Sequence, residues 1–164
     1  MLFMAVFLLL IGCEKKQKEV LSSAPPRAAS KQEPNLPSDV PLISSDAPIE
    51  VPDTVKGKWK AVKLTVQDKK AQASKEYQVG LHSEFMIPDS KLTVKVDEFL
   101  PDLKIQNAKF TSDTNEPKNP AIHVIILDEN KEVFNGWLFA LFPTIHPFRH
   151  DRYGITLKEA IPAG

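Results

Sequence analysis

Alternation of apolar and polar residues dominates the chain from Val55 onward and restricts the fold of this part to β-structure. In residues 60–67, Val62, Leu64 and Val66 alternate with polar or charged residues. A period of two places successive side chains on opposite faces of a strand, which is typical of a strand with one buried face. No stretch repeats its apolar residues with a helical period, so we expect an all-β domain.

Turn-forming residues divide this domain into short strands. The same alternation recurs in residues 76–81 and 91–96, with turns expected at Pro88-Asp89-Ser90 and Pro101-Asp102. A hairpin turn is expected at Asp128-Glu129-Asn130-Lys131. Short apolar stretches predict further strands at residues 85–87, 121–127, 133–142 and 152–158. Residues 121–127 are apolar on both faces, which indicates a central strand. Residues 102–111 change phase midway, which predicts one strand with a β-bulge near Gln106 and Asn107. About eight short strands favour a small antiparallel sandwich or barrel over residues 55–164.

Residues 14–54 have a composition that does not support a core. They hold seven of the fourteen prolines and contain neither glycine nor an aromatic residue. Such a segment buries too little apolar surface to offset the entropy of ordering it, so we expect a disordered tether. As a coil of about 40 residues it would span roughly 35–40 Å.

The N-terminus carries the second strong signal. Residues 1–11 contain no polar side chain, and this run of about 10 residues is too short to cross a bilayer as a helix. It fits the apolar core of a secretory signal. The run ends in Leu10-Ile11-Gly12-Cys13, which resembles the lipobox of bacterial lipoprotein precursors, and Cys13 is the one cysteine in the chain.

This resemblance implies an anchor and a location. Residues 1–12 would be removed as a signal peptide, and Cys13 would carry acyl chains that hold the protein on a membrane. Glu14 follows the cysteine, whereas aspartate at that position tends to retain such lipoproteins at the inner membrane. The resemblance therefore implies a domain in the periplasm, with the outer membrane favoured over the inner. The alternatives are an unlipidated signal peptide and a buried N-terminal strand with a free thiol.

Charge and motifs exclude several classes of function. Lysine and arginine number 21, aspartate and glutamate also number 21, and the net charge is zero. A nucleic-acid partner, which requires a basic face, is therefore not expected. The sequence contains no nucleophile elbow, phosphate-binding glycine loop or paired-histidine zinc helix. We therefore predict neither catalysis nor a cofactor.

A block of glycine and aromatic residues is the most distinctive stretch of the domain. It runs through residues 134–140 as FNGWLFA and is followed by Pro143, His150 and Tyr153. The block resembles that of an uncharacterised family of bacterial envelope proteins, a domain of unknown function, over residues 57–157. The resemblance implies a fold and an envelope location but no mechanism. The matching positions are Gly136, Trp137, Phe139, Ala140, Pro143, His150 and Tyr153.

The block also has a physical interpretation. Gly136 within a strand indicates a β-bulge or the close approach of another backbone. Trp137 and Phe139 share one face of that strand, so we expect them to fill the core. A binding platform formed by these aromatic rings is the alternative.

The four histidines offer weak metal candidates. His146 and His150 are four residues apart, a spacing that suits a metal on a helix, but Pro147 between them argues against a helix. We expect His150 and Asp151 to hold their loop to the sheet by hydrogen bonds. His123, in an apolar strand, is expected to be a buried or edge histidine with its hydrogen bonds satisfied.

Two functions fit these observations. The first is a lipid-anchored, non-catalytic interaction or accessory module with a protein partner in the cell envelope. The second is an envelope protein that binds a small ligand, a glycan or a metal at the loop from Pro143 to Tyr153. In the second case Trp137, His146 and His150 would contribute to the binding site.

Overall fold

The computed structural model describes residues 47–164, and these residues form nine β-strands. The predicted signal peptide, Cys13 and most of the predicted tether lie outside the described residues. The nine strands are β1 (Trp59–Asp68), β2 (Ala73–Gly80), β3 (Ser83–Met86), β4 (Leu92–Leu100), β5 (Leu103–Gln106), β6 (Lys109–Ser112), β7 (Ala121–Asp128), β8 (Lys131–Phe139) and β9 (Tyr153–Pro162). Over this range no helix is long and apolar enough to span a membrane.

The strands form three antiparallel sheets. One sheet has the order β2-β1-β9, the second has the order β3-β4-β7-β8, and β5 pairs with β6 as a separate hairpin. The all-β prediction is therefore confirmed. The strand that is apolar on both faces, β7, lies between β4 and β8, as expected.

The two larger sheets share one core. Val62, Leu64 and Val66 of β1 are buried, which confirms the interpretation of the alternating pattern in residues 60–67. They belong to the same cluster as Ile122 and Ile126 of β7. Each fully buried aliphatic side chain contributes about 1.5–3 kcal/mol of transfer free energy, so this cluster is the main source of stability.

A second, smaller cluster packs on the outer face of the four-stranded sheet. It contains Leu100, Leu103, Phe110, Ala121 and Trp137. The β5–β6 hairpin covers this face together with the chain before β1. The buried face of Trp137 therefore belongs to the smaller cluster and not to the main core.

The folded domain begins earlier than the predicted boundary at Val55. Ile49 forms a parallel bridge to Phe110, and Glu50 N donates to Phe110 O at 2.8 Å. Phe110 N in turn donates to Pro48 O at 2.9 Å. The end of the segment that we predicted to be a tether is therefore paired with β6.

The prediction for residues 102–111 was wrong. These residues form two strands, β5 and β6, with Gln106 opposite Lys109. Asn107 and Ala108 make the two-residue turn between them with φ of 50° and 57°. Positive φ at both central residues is the requirement of a type I′ hairpin turn, which normally selects glycine at the second position. Because Ala108 occupies this second position, the sequence lacks the glycine that would have indicated the turn.

Gly136 was also misinterpreted. It pairs in register with Val124, and the irregularity between β7 and β8 lies between Ile126 and Leu127. A Cβ built on Gly136 would lie 3.4 Å from the ring of Phe134, and its three nearest neighbouring atoms would all belong to that ring. The position therefore needs neither a bulge nor a close backbone approach.

An unpredicted bulge interrupts β4. The register between β4 and β7 shifts between Val96 and Phe99, so Asp97 and Glu98 have no paired residue in β7. Val96 and Phe99 both contribute to the main core although they are three residues apart. The bulge therefore changes the direction in which the side chains of Asp97 and Glu98 point.

Candidate functional site

The loop between β8 and β9 is held to the sheets by His150. Its Nδ1 accepts hydrogen bonds from the backbone N–H groups of Arg152, at 3.2 Å, and Tyr153, at 3.1 Å. Nδ1 is therefore unprotonated, and Nε2 carries the hydrogen of the neutral ring. Nε2 lies 3.9 Å from Asp128 Oδ2. His150 thus binds its loop to the start of β9, in agreement with the sequence prediction. Asp151 is exposed and its side chain forms no hydrogen bond within residues 47–164, so that part of the prediction was wrong.

Tyr153 connects the same loop to the turn before β4. Its ring is buried, and its hydroxyl donates to the carbonyl oxygen of Asp89 at 3.1 Å. The His150 ring centre lies 5.6 Å from the Tyr153 ring centre, and the Arg152 guanidinium lies 4.9 Å from it. A cation above an aromatic face is attracted by the ring quadrupole. These contacts hold His150, Arg152 and Tyr153 as one unit.

Two depressions adjoin this unit. The larger has a volume of about 490 Å³ and is lined by Asp89, Ser90, Lys91, Leu92, Asp128, His150, Arg152 and Tyr153. The smaller has a volume of about 310 Å³ and shares Asp89, Arg152 and Tyr153 with the larger. The larger depression offers groups of both charge signs, which would suit a small polar ligand.

The cations of the larger depression are already paired within the chain. Arg152 forms an ion pair with Asp68, and Lys91 forms one with Glu129. Hydrogen bonding to Arg152 lowers the pKa of Asp68 to about 2. Hydrogen bonding to Lys91 lowers the pKa of Glu129 as well. An anionic ligand would have to compete with these carboxylates, so the charges favour a structural role for this cluster.

The structure brings together only some of the predicted site residues. His150 and Tyr153 are adjacent, whereas Trp137 packs against Phe110 in the smaller cluster with ring centres 5.1 Å apart. His146 is exposed and lies outside both depressions. Pro143 is also exposed. The predicted ligand site therefore keeps His150 and Tyr153 but does not include Trp137 or His146.

The remaining residues of the glycine–aromatic block are structural. Phe139 packs against the smaller cluster beside Trp137, and Ala140 packs against the main core. Trp137 is 5% exposed, which agrees with the core interpretation and not with an open aromatic platform. The block therefore connects the two clusters through a single strand.

Polar atoms without partners lie on the outer face beside Trp137. Trp137 Nε1, His123 Nε2 and Asn135 Oδ1 are buried and make no hydrogen bond with any described residue. His123 is opposite Trp137 in the β7–β8 register, and Asn135 is two residues away on β8. An unsatisfied buried polar group costs about 1–3 kcal/mol, and such groups are few in native folds. We had expected His123 to be satisfied, but only its Nδ1 has a partner, Asp97.

The first half of the β8–β9 loop exposes large apolar side chains. Leu141 is 56% exposed, Phe142 is 52% exposed and Ile145 is 47% exposed. Three such residues within five positions form a local apolar surface, which is typical of an interaction site. We call residues 141–145 the apolar loop. The sequence analysis placed Leu141 and Phe142 at the end of a strand over residues 133–142 and the loop site from Pro143 onward. The structure ends β8 at Phe139, so both residues belong to the loop.

Comparison with known proteins identifies a family but no function. The family model described as an uncharacterized protein conserved in bacteria (DUF2155) matches residues 47–160. The match covers β1 to β8 in full and β9 as far as residue 160. Neither the curated proteins nor the solved structures contain a match. The chain therefore belongs to this uncharacterised bacterial family, DUF2155.

Proposed function

We propose that this protein is a membrane-anchored periplasmic lipoprotein whose β-domain is a non-catalytic interaction module of the bacterial cell envelope. The anchor is Cys13, which follows the apolar N-terminus at the end of the lipobox-like sequence. Glu14 favours the outer membrane over the inner one. The acyl chains hold the protein at the membrane, and the domain contacts an envelope protein within reach of the tether.

The observation that carries the interaction role is the apolar loop. Leu141, Phe142 and Ile145 remain about half exposed and belong to neither of the two buried clusters. Fully burying one large apolar side chain contributes about 1.5–3 kcal/mol. A partner that covers the apolar loop would bury these side chains, and their burial would therefore contribute to the free energy of binding.

The groups that could perform chemistry support the non-catalytic part of the proposal. His150 Nδ1 is occupied by two backbone donors, and Arg152 is held by Asp68. Tyr153 donates its hydroxyl hydrogen to a backbone carbonyl. His150, Arg152 and Tyr153 thus all perform structural tasks at the larger depression.

Site-specific photocrosslinking in cells tests this proposal. A benzophenone derivative of phenylalanine replaces Phe142, and the matched control carries it at Ser74, which is exposed on β2. We expect a discrete adduct with an envelope protein from position 142, and we expect its loss when Leu141 and Ile145 are both changed to serine. Equal adducts from positions 142 and 74, or no adduct from position 142, would overturn the proposed surface.

A second candidate function is small-ligand or glycan binding in the depression beside His150. Its volume of about 490 Å³ is within the range of ligand pockets, and its lining includes both charge signs. Thermal unfolding of the protein in the presence of a panel of saccharides and small zwitterions tests this function. A stabilising ligand should lose its effect in Lys91→Ala, because Lys91 lines the depression while its partner Glu129 lies in an exposed turn. A stabilisation that persists in Lys91→Ala would place the ligand elsewhere.

A further inference from the structure

Three side chains that can ligate a metal converge at the bulge of β4. His82, Asp97 and Glu98 each offer one ligand atom, and these atoms lie within 4.8 Å of one another. His82 Nδ1 is 3.9 Å from Asp97 Oδ1, and His82 Nε2 is 3.9 Å from Glu98 Oε1. Both distances exceed those of a hydrogen bond. We propose that these three residues bind a divalent transition-metal ion of the Zn²⁺ type.

The β4 bulge places both carboxylates near His82. Consecutive residues of a regular strand point to opposite faces, so Asp97 and Glu98 in a regular β4 would not both approach His82. The β4 bulge removes both residues from the pairing with β7, and both carboxylates then lie near the same imidazole. Bulges that re-aim side chains are common beside functional sites.

His82 itself sits in an unusual backbone conformation. It lies in the short turn between β2 and β3 with a φ of 54°, in the left-handed region that non-glycine residues seldom adopt. The turn is fixed on both sides, because Leu81 N donates to Lys60 O at 3.0 Å and Ser83 Oγ donates to Gly80 O at 2.6 Å. The imidazole is therefore presented from a rigid turn.

A buried histidine orients one of the carboxylates. His123 is 7% exposed, and its Nδ1 lies 3.0 Å from Asp97 Oδ2. This contact holds one oxygen of Asp97 and leaves Oδ1 as the atom that faces His82. Hydrogen bonds from a surrounding shell commonly orient metal ligands in this way. His123 Nε2, on the far side of the ring, has no hydrogen-bond partner among the described residues. The contact with Asp97 is therefore the one hydrogen bond that the ring forms with them.

The local charge favours a cation. Among the described residues, Asp97 and Glu98 form ion pairs only with histidines, which are charged only when protonated. Lys95, which is close to them on β4, is paired with Glu84 at 2.8 Å. Lys56, which lines the same depression as His82 and Glu98, is likewise paired with Asp53 at 2.8 Å. Neither lysine forms an ion pair with the two carboxylates, and a bound metal ion would neutralise them.

The donor set selects the type of metal. One imidazole nitrogen, two carboxylate oxygens and one water complete the four-coordinate tetrahedral shell of Zn²⁺. Ligand atoms at about 2.1 Å from the metal would be roughly 3.4 Å apart. The ligand atoms now lie within 4.8 Å of one another, so the side chains must move together by up to about 1.4 Å. The exposure of His82 and the partial exposure of Asp97 and Glu98 permit this rotamer change and leave a solvent path. Ca²⁺ and Mg²⁺ require six or more oxygen ligands and fit this set poorly.

Calorimetric titration of the untagged, full chain in detergent with Zn²⁺ alone tests the proposal. We expect one saturable site in the wild type and at least a tenfold weaker affinity in His82→Asn. Asparagine tolerates left-handed backbone, so this substitution removes the imidazole while keeping the turn. The matched control is His146→Asn, because His146 is also exposed and has a φ of 47°. That control should bind like the wild type.

Two further variants keep the test independent of the turn. Asp97→Asn retains an oxygen acceptor for His123, and Glu98→Gln conserves shape, yet each removes a charged ligand; both should weaken Zn²⁺ binding at least tenfold. NMR of the imidazole resonances should show His82 shifting on addition of Zn²⁺ while His146 does not. Equal binding by the wild type and His82→Asn would overturn the site. Equal binding of Ca²⁺ and Zn²⁺ to the wild type would overturn its assignment to a transition metal.

Discussion

Arg152 donates two hydrogen bonds to the same carboxylate oxygen of Asp68, from Nε at 3.1 Å and from Nη2 at 2.7 Å. The other oxygen of Asp68 accepts from the backbone N–H groups of Lys70, at 3.0 Å, and Ala71, at 3.1 Å. One carboxylate therefore fixes the β1–β2 turn and also joins the end of β1 to the residue preceding β9. This double role accounts for the lowered pKa of Asp68.

Asp68 gives the domain a stability term that depends on pH. The pKa of Asp68 is about 2 in the fold, below its ordinary value of 3.8, because Arg152 and two backbone donors stabilise the charged form. The contribution is therefore fully present above about pH 4 and is lost as the pH falls toward 2. We expect Asp68→Asn to be less stable than the wild type at pH 7, and we expect the difference to shrink between pH 4 and pH 2. Urea unfolding across this range measures it.

Asp151→Asn is the control for this prediction. Asp151 is exposed and precedes Arg152 in the sequence, but it forms no ion pair within residues 47–164, because Arg152 pairs with Asp68. Its replacement should leave the pH profile of the free energy of unfolding unchanged. A constant difference between Asp68→Asn and the wild type down to pH 2 would contradict the role assigned to the Asp68 carboxylate.

Gly136 is expected to tolerate a side chain although it belongs to the distinctive block. Its φ is not positive, and the nearest neighbour of a Cβ there would be the Phe134 ring, at an ordinary contact distance of 3.4 Å. Alanine in a strand interior is about 0.5–1 kcal/mol more favourable than glycine, so Gly136→Ala should be neutral or stabilising.

Gly57→Ala provides the matched comparison. Gly57 has open space around it but a φ of 69°, which costs a residue with a Cβ about 1–2 kcal/mol. We therefore expect Gly57→Ala to lower the free energy of unfolding and Gly136→Ala not to lower it, as measured by chemical denaturation. Destabilisation by Gly136→Ala alone would indicate a close approach that the structure lacks.

The β5–β6 turn should be improved by glycine. Ala108 occupies the second central position of the turn with a φ of 57°, where glycine carries no penalty. We expect Ala108→Gly to stabilise the protein by about 0.5–1 kcal/mol. Ala160→Gly in β9 is the control, and it should destabilise the protein by a similar amount because glycine weakens a strand interior. A destabilising Ala108→Gly would mean that the residues form the bulged strand suggested by the sequence.

Substitution of two isoleucines should distinguish the stabilising role of the core from the role of the apolar loop. Ile126 is fully buried, whereas Ile145 is 47% exposed. Ile126→Ala should cost about 2–5 kcal/mol because it removes buried methylenes and leaves a cavity. Ile145→Ala should change the free energy of unfolding by less than about 0.5 kcal/mol. A large cost at Ile145 would assign the apolar loop to folding, and its proposed role in partner binding would lose its basis.

The sequence predicted the elements whose side chains alternate without interruption. The pattern Val62, Leu64 and Val66 identified β1, because one face of a sheet must meet the core. The hairpin turn at Glu129 and Asn130 was also predicted correctly, and both residues have positive φ. Asparagine and its charged neighbours mark such a turn locally, so no tertiary information was required.

The missed features depend on contacts between distant parts of the chain. The parallel bridge from Ile49 to Phe110 joins a proline-rich segment to a strand about sixty residues later, and composition gives no sign of it. Likewise, the bulge at Asp97 and Glu98 is an irregularity in the pairing of β4 with β7, and β7 is a strand later in the chain. The meeting of His82 with these carboxylates therefore could not be read from sequence spacing.

The candidate site was predicted only in part for the same reason. His150 and Tyr153 are three residues apart, and a local turn brings them together through Nδ1 of His150. Trp137 and Leu138 lie on opposite faces of β8. Leu138 packs in the main core, whereas Trp137 packs in the smaller cluster under the β5–β6 hairpin. A sequence argument that assigned Trp137 and Tyr153 to one loop site lacked this information about faces.

Intact-mass measurement of the protein from the membrane fraction, beside a Cys13→Ala variant, tests the proposed anchor most directly. The account predicts a wild-type mass that lacks residues 1–12 and includes two or three acyl chains, and it predicts that the variant carries none. An unmodified wild-type chain recovered in the soluble fraction would contradict the account, because an interaction module without an anchor would not be held at the envelope.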